Sequence, residues 1–146
     1  MKMKQRVRAI LITTVGTTLL MKRVRPGRAA YWVVIGGGVE DSDATREEAL
    51  LREIREEIAG TAEILRPLHQ LVNRAGETEH FYVARVTQWS FDDRSGPEFQ
   101  KEDRGEYILD EIPLTRAAIR QLNLLPEEIS TVLCETLDRG ELLSSP

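Results

Sequence analysis

Glu53, Glu56 and Glu57 stand three and four residues apart in the segment Arg52-Glu53-Ile54-Arg55-Glu56-Glu57. On an α-helix, which turns about 100° per residue, that spacing brings their carboxylates to one face. With Ala49 set at zero, the three fall between about 340° and 80°, while Leu50, Leu51, Ile54 and Ile58 fall between about 100° and 200°. The acidic face therefore adjoins the apolar stripe instead of opposing it. Like charges this close repel, and a hard divalent cation offsets the repulsion: Mg²⁺ takes oxygen ligands and keeps some of its waters. Such a cation polarises phosphate and activates water, which is the chemistry of phosphate hydrolysis. The same residues also suit a solvated helix face. Glu48 lies four before Arg52, and Arg55 lies between Glu53 and Glu56, so salt bridges account for part of the pattern.

Gly36-Gly37-Gly38 follows directly on an apolar run. Glycines let backbone approach a ligand closely, and a carbonyl there is a candidate further metal ligand; a plain turn is the alternative. No Gly-Lys-Ser/Thr follows, so the run is not a Walker loop. Lys22, Arg23, Arg25 and Arg28 cluster just upstream and are candidates to clamp substrate phosphates, or else they solubilise a hairpin loop. Tyr31, Trp32, Phe81 and Tyr82 are candidates to stack on a ring, although aromatics in strands belong more often to the core. His69 and His80 are too isolated to suggest a metal site, and Cys134 reads as packing in the last helix.

The elements that must position these groups follow from periodicity and punctuation. Residues 6–15 and 17–24 read as strands of an N-terminal hairpin turning at Gly16. Residues 31–35 read as one strand buried on both faces and ended by the glycines. Residues 45–58 form the clearest helix, with Thr45 and Glu48 as a capping box and Gly60 as its stop. Residues 62–72, 80–86 and 106–112 read as strands, 94–104 as an exposed charged loop, and 115–122 as a short helix. A C-terminal helix over about 126–139 opens on Pro126 as its first residue and buries Ile129, Val132, Leu133 and Leu137. The tail from Leu142 reads as frayed.

The chain of 146 residues fits one domain, 1–146, with no internal linker. Its net charge of −4 supplies no field for a polyanion, so DNA is not an expected partner. A lone cysteine forms no internal disulfide, which fits a cytoplasmic protein. The basic start and the apolar stretch over residues 9–21 are not read as a signal peptide, because threonines and Gly16 interrupt the stretch and Lys22-Arg23 follows it. No segment is apolar enough to span a membrane.

Taken together, the glycine run, Val39-Glu40 and Arg52-Glu53-Ile54-Arg55-Glu56-Glu57 resemble the box of the Nudix hydrolase family, here about residues 37–60. The resemblance implies an α+β fold: an α/β/α sandwich, with a mixed β-sheet between helices and the box as loop–helix–loop. It implies Mg²⁺-dependent (or Mn²⁺-dependent) hydrolysis of a phosphoanhydride bond in a small nucleotide: a nucleoside diphosphate linked to another moiety, such as a nucleoside triphosphate, ADP-ribose or a nucleotide sugar. Glu53, Glu56, Glu57 and the carbonyl of Gly37 or Gly38 would hold metal. Arg52 would hold the carboxylates in place, and Glu53 or Glu102 would act as base. Arg23, Arg25, Arg28 and Tyr82 are the candidate substrate contacts, and a homodimer is compatible with the family. The chain departs from the motif at Ala44, where a glutamate is usual, and at Ala59, where a glycine is usual with Gly60 one step later. It departs again at Ile35, where many members have proline, and in a loop one residue longer when measured from Gly37. A catalytically weak or inactive nucleotide-binding module is the alternative reading of these departures.

Overall fold

The computed structural model describes residues 4–93 and 105–142. Its spine is β1 (Gln5–Ile12), apolar without a break from Ala9 to Ile12, where both faces are covered. Val7, Ala9 and Leu11 point to one side and Ile10 and Ile12 to the other, following the two-residue period of a strand. Along one edge β1 runs parallel to β6 (Thr78–Gln88), whose outer neighbour is the antiparallel β5 (Thr61–Val72). The other edge of β1 is shared. Its end pairs with the start of β2 (Thr17–Val24), and its beginning pairs with β4 (Ile35–Gly38), where Arg6 faces Gly38 and Arg8 faces Gly36. Strand β2 also carries β7 (Glu106–Pro113) and β3 (Tyr31–Val33), and β3 pairs in parallel with the short β8 (Leu124–Leu125).

Helices close both faces of this mixed sheet, as an α/β/α sandwich requires. Helix α1 (Arg46–Ile58) lays Ala49, Leu50, Ile54 and Ile58 on Val7, Ala9, Leu11, Leu19, Met21 and Ile35. Helices α2 (Arg116–Arg120) and α3 (Glu127–Asp138) cover the opposite face, with Ile119, Ile129, Leu133 and Cys134 packed on Ile10, Leu20, Phe81 and Val83. Each fully buried Val, Leu, Ile or Phe among these contributes roughly 1.5–3 kcal/mol of transfer free energy. Among the described residues no helix is long and apolar enough to cross a membrane.

The structure redraws several expected boundaries. The single strand over residues 31–35 is in fact two: the chain leaves β2 at Val34 and re-pairs with β1 as β4. The glycines do not end a strand; they are the strand. A Cβ on Gly36 would lie 2.0 Å from the Val7 carbonyl oxygen, so only glycine lets the two backbones approach this closely. The first strand stops at Ile12, because Thr13 takes over the backbone: its hydroxyl accepts from the N–H groups of Val15 and Thr17, and Val15 is left exposed. Pro126 precedes α3 with an extended ψ of 149° and is not its first helical residue. Leu142 is not frayed but fully buried in the core beside α3. Pro67 is tolerated in β5 because this is an edge strand with register shifts on both sides of that residue.

Helix α1 begins as its sequence predicts and ends differently. The Thr45 hydroxyl accepts from the Glu48 N–H at 3.1 Å, while the Glu48 carboxylate reaches past Thr45 to the Ala44 N–H at 3.3 Å. The stop is Ala59, in the left-handed region at φ 48° and ψ 42°, with its N–H on the Arg55 carbonyl. Gly60 is small for another reason: a Cβ there would meet Ile54 and Ile58 at 2.8 and 2.9 Å.

Candidate active site

Helix α1 lies across β4 so that Glu53, only 8% exposed, rises against the glycine strand. Its carboxylate fills the space that a side chain at position 37 would take: a Cβ on Gly37 would sit 2.5 Å from the Glu53 carboxyl carbon. One turn on, Glu57 accepts from the Gly36 N–H at 3.2 Å. The glycine strand thus places two carboxylates at the sheet edge, one by leaving room and one by donating a hydrogen bond.

Arg52 organises the neighbouring groups. Its Nε and Nη2 donate to the two oxygens of Asp43 at 3.0 and 2.8 Å, a bidentate fork. Nη2 also donates to the Gly38 carbonyl at 3.0 Å, and Nη1 donates to Glu53 at 3.0 Å and to Glu56 at 3.2 Å. The hydrogen bond from Arg52 holds the Asp43 carboxyl below the usual carboxylate range, and the same bond pushes the already high Arg52 pKa further up. Asp43 also accepts from the Glu40 N–H at 2.8 Å, so it fastens the loop before α1 to the guanidinium. Among the described residues no three of His, Cys, Asp and Glu converge in a geometry ready for a metal ion. The Glu53 and Glu56 carboxylates point to Arg52, while Glu57 points to β4.

Glu53 and Glu57 form one wall of a cleft of about 350 Å³. Arg6 and Arg8 of β1 and Arg23 of β2 also line it, with Tyr31 and Tyr107. The Arg23 guanidinium stacks 3.8 Å from the Tyr107 ring centroid and 6.0 Å from that of Tyr31. Of the expected substrate contacts, only Arg23 is brought to the cleft. Arg25 is half-buried against Gly105, and Arg28 is exposed in the following turn. Tyr82 lies in the core under α1, where its hydroxyl donates to Glu47 at 3.3 Å and burial pushes the phenol pKa up. Glu102 lies outside the described residues. Sequence reading overlooked Arg6, Arg8 and Tyr107. Arg6-Val7-Arg8-Ala9 did carry a signal, since two cations inside a strand covered on both faces need partners. Tyr107 carried none.

A curled mixed sheet between helices, with a glutamate-bearing helix set against a glycine strand, defines the class as the Nudix fold. The match to solved structures agrees. The chain is similar to the solution structure of the E. coli ORF135 protein, with 25% identity and a TM-score of 0.61, covering 99% of this chain and 96% of that one. It is similar to the MutT NUDIX hydrolase from Burkholderia pseudomallei, with 24% identity and a TM-score of 0.59, covering 99% and 100%. It also matches a NUDIX-family hydrolase from Clostridium perfringens, with 17% identity and a TM-score of 0.67, covering 95% and 99%. None of the curated proteins matches the chain. The family model for the NUDIX domain matches residues 3–129, and the chain belongs to that family.

Proposed function

We propose that the chain hydrolyses the phosphoanhydride bond of a nucleoside diphosphate linked to another moiety, with Mg²⁺ (or Mn²⁺) held by Glu53, Glu56, Glu57 and a carbonyl of Gly37 or Gly38. One observation carries the reading: the buried Glu53 carboxylate occupies the space left by Gly37, beside Glu57, in a cleft whose lining includes Arg6, Arg8 and Arg23. The residues present suit such an ion. Their donors are hard oxygens, and Mg²⁺ in phosphoryl-transfer sites is held by one or two carboxylates plus substrate phosphates and water, with no closed protein cage. When bound, the ion neutralises phosphate oxygens and lowers the pKa of water.

The chain's own groups supply the rest. Arg52 keeps Glu53 and Glu56 oriented and offsets their mutual repulsion. Arg23, whose guanidinium lies over the Tyr107 ring, offers a positioned cation for phosphate oxygens. Glu53, or Glu102 from the loop, accepts the proton of the attacking water. The single cysteine, buried in the core, is in keeping with a cytoplasmic protein.

The test is a phosphate-release screen over nucleoside triphosphates, ADP-ribose, nucleotide sugars and dinucleoside polyphosphates, with Mg²⁺ and Mn²⁺ supplied separately. Turnover of at least one compound is expected, lost without the ion. Glu57→Gln should lower it by about a hundredfold or more with the fold intact, the scale of removing one charged group at a reacting centre. Equal rates in wild type and variant reject the residue assignment. Nucleotide binding by the wild type with no turnover of any compound establishes the inactive module instead.

A further inference from the structure

We infer that Arg8 contacts the substrate, binding the phosphate that joins the group in the carboxylate cleft to the group beyond it, and that Glu79 and Asn73 are its positioning residues. The inference rests on the phosphoanhydride reading above and adds a contact to it.

Beside the carboxylate cleft lies a second cavity of about 670 Å³, walled by Leu71, Val72, Leu125 and Pro126. Only Arg8 and Val33 line both spaces, so Arg8 stands where they meet. A substrate with a diphosphate at Glu53 and Glu57 and a second moiety in the larger, mainly apolar cavity must pass this residue.

Arg8 is built to be rigid there. Its Nε donates to Glu79 at 2.5 Å, and its Nη1 donates to the Val34 carbonyl at 2.9 Å. Glu79 is 5% exposed, and its other oxygen accepts from Asn73 Nδ2 at 2.9 Å. Of the five guanidinium N–H donors, these two bonds use two and leave three. The three have no hydrogen-bond partner among the described residues, and they belong to the Nη1 and Nη2 end, which is the fork that matches phosphate oxygens. The flanking pattern points the same way. On the same face of β1, Ile10 and Ile12 complete the core, and the strand turns cationic only where it reaches the glycine strand. An ion pair serving packing alone is replaceable by apolar side chains at little cost. Here the pair fixes a guanidinium at the junction of two spaces.

Replacing Arg8 alone strands a buried carboxylate, so the test uses the near-isosteric pair Arg8→Gln/Glu79→Gln and, separately, Arg8→Lys. Affinities for ADP, CDP, GDP and UDP are measured by calorimetry with Ca²⁺ in place of Mg²⁺. KM and kcat are measured on whichever compound the wild type hydrolyses. The paired variant should weaken the tightest diphosphate and raise KM by about tenfold or more, the scale of one lost bidentate contact. Its kcat should stay within about threefold, because the contact is equal in ground and transition states. Arg8→Lys should fall between, since an ammonium cannot grip two oxygens as a fork does, and it carries the test if the paired variant fails to fold. Unchanged Kd and KM in a folded variant overturn the inference while leaving the hydrolase reading standing. A wild type that turns nothing over, yet binds a diphosphate through Arg8, does the reverse. If the wild type neither binds nor hydrolyses any of these compounds, both fall.

Discussion

Replacing Ala59 by glycine should stabilise this protein. Ala59 is the one non-glycine residue at positive φ among the described residues, with φ 48° and ψ 42°. An L-residue in that region crowds its Cβ against the following carbonyl, at roughly 1–2 kcal/mol. The conformation is imposed by the helix end: the Ala59 N–H closes on the Arg55 carbonyl at 2.9 Å and the Gly60 N–H on that of Ile54 at 3.2 Å. Glycine removes the crowding but gives the unfolded chain more freedom, an opposing effect of roughly 0.4–1 kcal/mol. The balance favours Ala59→Gly by about 0.5–1 kcal/mol, or about 1–4 °C in Tm for a chain of this size. Ala49→Gly is the control. Ala49 is fully buried inside the same helix, and there glycine costs about 1 kcal/mol or more. Thermal and urea unfolding of the two variants should therefore move in opposite directions. If Ala59→Gly lowers the midpoint as Ala49→Gly does, the strain argument is wrong.

Other perturbations have equally definite outcomes. Gly37→Ala puts a methyl group into the volume of the Glu53 carboxylate; turnover should drop by about a hundredfold, and wild-type rates in a folded Gly37→Ala protein would contradict the placement of Glu53. Arg52→Lys loses the fork on Asp43 along with the reach to Gly38, Glu53 and Glu56. Urea denaturation should show a loss of about 2–4 kcal/mol, and a loss below about 0.5 kcal/mol would mean the network contributes little. His80 is buried, and desolvation, helped by Arg46, holds its pKa below the ordinary 6.5. The unfolded chain therefore takes up the proton first, so stability is fully present above pH 6.5 and is lost as pH falls through the folded value. The Tm of His80→Gln should change less than that of the wild type between about pH 7 and 5; parallel curves would remove His80 as the source.

How much could be read beforehand depended on the range of the forces involved. Helix α1 was legible because its caps, apolar stripe and acidic face are set within four residues of one another. Even so, the wheel placed Leu51 in the core, and the structure leaves it half-buried while Ala49 is fully covered, because small residues fit where helix and sheet come closest. The split between β3 and β4 was not legible, since it depends on which distant strand each half pairs with. Tyr82 reads as a candidate substrate contact because a strand apolar on both faces does not reveal which side looks at α1. The bond between Asp43 and Arg52, nine residues on, is set by the path of the loop, which a motif count does not describe.

The central claim is that Glu53 and Glu57 hold a divalent cation at the glycine strand. Anomalous X-ray scattering from crystals of the protein soaked in Mn²⁺ with a non-hydrolysable nucleotide tests it most directly. The account predicts a manganese peak within coordination distance of both carboxylates, beside Gly37 and Gly38. Carboxylates still engaged with Arg52 and the Gly36 N–H, with no peak near them at saturating Mn²⁺, would contradict it.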